Sequence, residues 1–123
     1  MITRRALLIS VPAVTLSFRL AHAQSARTGE FTGRSRHVTT GGATLTDTTL
    51  TLEEDFTLDR APDPIVGLGK GGEWDPDTFM GELAEKRGEQ VYNLPDGINA
   101  ADYDTAIIWC RAADVPLGIA PLN

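Results

Sequence analysis

From Gly29 onward, apolar and polar residues alternate in runs of four to nine, and clusters of Gly, Pro and Asp separate the runs. A period of two marks strands with one side against a core. The pattern predicts strands over residues 29–37, 43–46, 49–56, 65–68, 89–94, 103–111 and 115–120. Turns are expected at Gly41-Gly42, Asp47-Thr48, Ala61-Pro62-Asp63-Pro64 and Pro95-Asp96-Gly97. Only residues 78–86 carry helical spacing, through Phe79, Met80, Leu83 and Ala84, and Gly81 weakens it. The expected fold is all-β: a single-domain antiparallel β-sandwich or barrel of about seven to eight short strands, with at most one short helix.

Parity along these strands assigns faces. In the first, Phe31, Gly33, Ser35 and His37 share one side, and Glu30, Thr32, Arg34 and Arg36 share the other. The charged set belongs in water, so the pattern turns His37 inward beside small residues. In the run 103–111, Ala106, Ile108 and Cys110 form an apolar face that Ala112 continues, while Tyr103, Ile107 and Trp109 dominate the reverse. A strand apolar on both faces is central and buried. Cys110 is therefore expected in the interior, with Arg111 pointing the other way.

The start of the chain follows a different pattern. Arg4 and Arg5 precede an apolar run over residues 6–18, which Arg19 ends. A spanning helix needs about 20 apolar residues, so the run reads as the hydrophobic region of a leader, with no stable membrane insertion once it is cleaved. Ala21-His22-Ala23 supplies small residues for a cut before Gln24. The expected organisation is a signal peptide over 1–23, a short polar lead-in over 24–28 and one β domain over 29–123. Arg4-Arg5 ahead of Leu7 resembles a twin-arginine export signal, with an ordinary secretory leader as the alternative. Either route exports the domain to a periplasmic or extracellular space.

Export changes the charge. The whole chain carries 17 Asp and Glu against 11 Lys and Arg, a net −6, and removal of Arg4, Arg5 and Arg19 takes it near −9. A field of that sign repels phosphate backbones, so nucleic acid is not an expected partner. Cys110 is the chain's single cysteine, and it is bound for an oxidising compartment where cysteines usually pair. One cysteine excludes an internal disulfide, an iron–sulfur cluster and a covalently attached c-type haem.

The run Tyr103-Asp104-Thr105-Ala106-Ile107-Ile108-Trp109-Cys110, followed by Val115, Leu117-Gly118-Ile119-Ala120 and Leu122, resembles the closing signature of the electron-transfer DM-thirteen domain. That module is found beside DOMON domains in animals and alone in exported bacterial proteins. Gly29-Glu30-Phe31 and His37-Val38-Thr39-Thr40-Gly41 are similar to its opening, Pro62-Asp63 to its middle turn, and Gly88, Gln90, Tyr92 and Leu94-Pro95 to its approach to the last strands. The resemblance implies a redox or electron-transfer module centred on the family's near-constant cysteine, here Cys110. That residue would act as a naked thiol or hold a prosthetic group such as haem or another metal-containing group. The family's histidine, here His37, is the second cofactor-binding candidate. The implied partner is a membrane or periplasmic redox protein, and the module is not expected to be a self-contained enzyme. Ala112, Ala113 and Leu117 stand where relatives often carry aromatics, which would make a pocket there less aromatic.

Each candidate has a plainer reading. Free cysteines often serve as small core hydrophobes. A lone inward histidine is more often a hydrogen-bonded core or turn residue, here with Thr39 and Thr40 as local partners. Ser35 with His37 lacks the nucleophile elbow a hydrolase would need. Gly67-Leu68-Gly69-Lys70-Gly71-Gly72 fits a dinucleotide fingerprint, but Glu73-Trp74-Asp75-Pro76 follows it in place of a helix. Glu73, Asp75 and Asp77 lack the Gly-hinged loop and closing Glu of a calcium site. Trp74 is the candidate for the alternative class, a non-redox binding module that contacts a protein or sugar through residues 69–78.

Overall fold

The computed structural model describes residues 26–123; the expected leader, its arginine pair and its cleavage box lie outside the described residues. In chain order the first six strands are β1 (Arg27–Glu30), β2 (Thr32–Gly33), β3 (Thr39–Thr40), β4 (Gly42–Leu45), β5 (Thr49–Leu52) and β6 (Thr57–Leu58). The remaining six are β7 (Pro64–Lys70), β8 (Glu73–Asp75), β9 (Gly81–Glu82), β10 (Gln90–Asn93), β11 (Thr105–Cys110) and β12 (Val115–Pro121). A smaller sheet runs β1-β4-β5-β10, a larger one β2-β12-β11-β7-β8 with β9 also on β7, and β3 pairs with β6. Every pairing is antiparallel, and the only helical pieces among the described residues are 3-10 turns, so the all-β sandwich expected from the alternation is what forms.

The core lies between the sheets. Leu45, Leu50 and Leu52 from the smaller sheet join one buried cluster with Val66, Leu68, Ala106, Ile108 and Leu117 from the larger. Phe31 closes on Phe56 edge-to-face, with ring centroids 5.5 Å apart. Strand β11 is central, held by β7 on one side and β12 on the other. Its two-faced apolar sequence fits that position, since both sides of a central strand can be covered. Opposite Ile108 and Trp109 the register with β12 slips, pairing them with Gly118 and Pro116 and leaving Leu117 out of the ladder. The backbone oxygen of Leu117 instead accepts from Arg34 N–H and from the Thr39 hydroxyl, which ties the β2–β3 segment to the bulge.

Two expectations need correction. The first strand does not run unbroken from residue 29 to 37. It divides into β1 and β2, and Ser35 and Arg36 then take left-handed backbone angles, φ 57° and 66°. His37 N–H closes that turn on the oxygen of Arg34 at 3.0 Å. Two successive positive φ values are the geometry of a tight hairpin turn, and period-two parity stops applying inside it. The inward assignment of His37 fails for that reason.

Residues 78–86 are not helical either. Pro76–Thr78 is a single 3-10 turn and β9 follows it. Met80 N–H donates to Val66 O and Leu83 N–H to Pro64 O, so the segment uses its amides to extend the sheet along β7. Gly81 at φ 123° lies where a helix cannot pass. Between β8 and β9 the ladder is bridged by a side chain: the Thr78 hydroxyl accepts from Leu68 N–H at 2.7 Å and lies 3.1 Å from Leu68 O. Strands β3, β6, β8 and β9 have two or three residues each, too short for alternation to reveal.

Candidate functional site

Cys110 ends β11 with its side chain on the core face, level with Ala106 and Ile108, and is 1% exposed. Residues 111–114 turn the chain immediately beyond it, with Asp114 N–H donating to Cys110 O at 2.8 Å and Asp114 at φ 59°. Within this turn the Ala113 N–H donates to Cys110 Sγ at 3.4 Å. The thiol is therefore buried beneath a loop whose four residues are all exposed.

His37 lies elsewhere. It stands in the turn between β2 and β3, and β12 runs between β2 and the β11 of Cys110. The His37 side chain is 30% exposed, and its Nδ1 sits 3.0 Å from Asp59 Oδ1. Thr39 and Thr40, the local partners expected for it, bond instead to Leu117 O and to Thr57. Gly33 leaves room not for the imidazole but for the oxygen of His37, which a Cβ there would meet at 1.9 Å. Burial pushes the Asp59 carboxyl up, yet hydrogen bonds from Val38 N–H, the His37 ring and Ala61 N–H together hold it below its usual value. Ser35 donates its hydroxyl to Pro116 O at 2.6 Å. His37 and Ser35 thus belong to the turn that fastens β2–β3 to the larger sheet.

A prosthetic group on Cys110 with His37 as second ligand does not fit this arrangement. The sulfur already accepts a backbone hydrogen bond and has no open side, and the imidazole sits in the turn after β2, with β12 between β2 and the strand of Cys110. Among the described residues no group of three or more His, Cys, Asp or Glu side chains is placed to hold a metal ion.

Across the sheet from the thiol, the outer face carries aromatic side chains. Trp109 points out, as its parity requires, and stacks on Trp74 of β8 with centroids 5.2 Å apart and planes 9° from parallel. The indole of Trp74 reaches Trp109 by lying over Gly67: a Cβ there would be 2.7 Å from the ring and 2.8 Å from Thr78 Oγ1. Gly69 likewise admits the backbone of Glu73. The amides of Gly71 and Gly72, both at positive φ, donate to Asp104 Oδ1 and Thr105 Oγ1. These glycines build the β7–β8 hairpin and seat an indole, and their amides are already paired. Glycines inside an otherwise apolar strand were the one signal that a large ring crosses it.

Asp75, considered above as a calcium ligand, is also engaged. Its carboxylate accepts from Tyr103 Oη at 2.6 Å and from Asp77 N–H at 2.9 Å. Those two bonds hold it below the ordinary carboxylate value, and the same bond, aided by burial, pushes the Tyr103 phenol up to about 12. Around the aromatic stack runs a groove of about 370 Å³, lined by Ile65, Trp74, Pro76, Phe79, Trp109, Arg111 and Asp114. Arg111 is fixed by Asp63 at 3.0 Å and Glu82 at 3.1 Å.

Compared with known families, residues 30–122 match the profile described as Electron transfer DM13. No curated protein and no solved structure matches the chain.

Proposed function

Because the chain belongs to the electron transfer DM13 family, we propose that this redox-related module is exported and that Cys110 is its redox centre. The observation that carries the proposal is the position of Cys110, buried at the last residue of the central strand beneath the exposed turn 111–114. Opening of so short a segment is a local event that leaves both sheets intact. With no second cysteine in the chain, oxidation takes Cys110 to a sulfenic acid or into a mixed disulfide with a partner's thiol. The mixed disulfide forms with release of two protons and two electrons, which an acceptor must take up. A redox protein of the periplasm or membrane suits that role, and among the described residues no helix is long and apolar enough to cross a membrane.

The test is an absorbance spectrum, metal analysis and thiol titration on protein exported by its own leader and purified from that compartment. A thiol that titrates with redox poise and is lost in Cys110→Ala supports the reading. A colourless protein whose thiol never reacts, with Cys110→Ala changing nothing but stability, sinks it. A haem or metal absorbance band would restore a prosthetic group. Export itself is tested by replacing Arg4 and Arg5 with lysines: a twin-arginine leader then stops exporting, whereas a general secretory leader continues.

Trp74, half-buried in its stack, supports the second reading of a non-redox module contacting a protein or sugar. Under that reading Trp74→Ala abolishes function and Cys110→Ser preserves it; under the first the dependence is reversed.

A further inference from the structure

We infer that the groove beside the Trp74–Trp109 stack binds a planar, uncharged ring bearing a carbonyl oxygen, the chemical class to which quinones belong. The inference adds a ligand to the redox reading and rests on different residues.

Size and surface come first. A groove of about 370 Å³ falls at the lower end of the range that holds small organic ligands, and its walls are Ile65, Trp74, Phe79 and Trp109. Phe79 is 44% exposed although its neighbour Met80 packs against the core, and so leaves an aromatic surface open at the groove. Aromatic walls favour a flat ring that stacks or meets them edge-on.

Charge then narrows the class. Among the described residues the one cation lining the groove is Arg111, which is paired with Asp63 and Glu82, and the groove's other charged wall residue is the acidic Asp114. Anionic ligands such as phosphate esters meet net repulsion there. A sugar would need several polar partners around its edge, but the Asp63 and Glu82 oxygens facing Arg111 are already used.

One donor remains. Arg111 spends Nε and Nη2 on Asp63 and Glu82, and its Nη1 makes no hydrogen bond to a described residue. A guanidinium clamped by two carboxylates loses little further freedom when it donates to a ligand. A fixed donor at the rim of an aromatic groove matches a ring with a carbonyl oxygen at its edge. The ring would rest on the outward side of Trp109, the residue before Cys110.

The experiment is calorimetric titration of the protein exported by its own leader with a tail-less dimethoxy-methyl-benzoquinone, and separately with cellobiose and benzoate. The benzoquinone should bind and the other two should not. Trp74→Ala and Arg111→Gln should each weaken binding at least tenfold, and Val91→Ala, exposed on β10 of the other sheet, should leave it unchanged. Because Trp74→Ala also removes the stack that ties β8 to Trp109, Phe79→Ala serves as a second variant with the same expected loss. Cys110→Ser must retain the binding. No heat at millimolar benzoquinone, tighter binding of cellobiose or benzoate, or heat that disappears in Cys110→Ser through loss of a covalent adduct would each overturn the inference. Binding without any redox activity of Cys110 would sink the redox reading alone, and a redox-active Cys110 without binding would sink this inference alone.

Discussion

Trp109 and Cys110 are adjacent in the chain and live in opposite environments. Cys110 faces a core closed to 1% exposure and touches nothing that titrates through a hydrogen bond, only a backbone amide. Trp109 faces a groove open to solvent, rimmed by charge and floored by aromatic rings. One strand thus separates a sealed chemical group from an accessible surface. Packing dominates the inner side, where replacements should cost stability. Recognition dominates the outer, where they should cost binding.

The strongest way to break that division is Ile108→Ala on the inner face. Ile108 is fully buried, so its loss should destabilise the fold by about 3 kcal/mol in a urea melt. A cost under about 1 kcal/mol would mean the core is not closed around β11. Next comes Gly67→Val, which puts atoms where the Trp74 ring and the Thr78 hydroxyl sit, 2.7 and 2.8 Å from a Cβ. It should cost about 2 kcal/mol and abolish the coupled indole signal in near-ultraviolet circular dichroism. Survival of both signal and stability would refute the seating of Trp74 over Gly67.

Tyr103→Phe sharpens the comparison, because Tyr103 packs in the core while its hydroxyl holds Asp75 of the strand that carries Trp74. Loss of that bond should cost about 1 kcal/mol at neutral pH. The raised phenol, about 12 when folded, gives stability that is complete below its unfolded value near 10 and lost as pH climbs through 12. Asp75 is depressed, so its share is present above its ordinary 3.8 and lost as pH falls through the lower folded value. The gap between wild type and variant should therefore be widest from about pH 4 to 10 and close outside that window. A gap independent of pH would assign the loss to packing. The smallest expected effect is that of Phe79→Ser, within about 0.5 kcal/mol because the ring is already half exposed, although the groove loses a wall.

Much of this was legible in the sequence where alternation ran long enough. The seven expected strands overlie β1/β2, β4, β5, β7, β10, β11 and β12, and the opposed faces of Trp109 and Cys110 followed from parity alone. Parity failed at Ser35-Arg36, whose left-handed turn neither residue type announces, and with it went the inward histidine. The apolar spacing of Phe79, Met80, Leu83 and Ala84 suggested a helix because two ladder bonds to β7 and one left-handed glycine are tertiary facts with no local period. Trp74 was visible as a contact residue, but its stacking partner was not, since β8 and β11 meet only across β7.

The hydrogen bond from Ala113 to Cys110 Sγ carries a further consequence. Oxidation of the sulfur changes its size and its strength as an acceptor, and the amide that reports the change belongs to an exposed loop. The resonance frequency and hydrogen-exchange rate of that one amide should therefore track the oxidation state. A partner that touches residues 111–114 would meet a differently shaped surface in each state and need never reach the thiol itself.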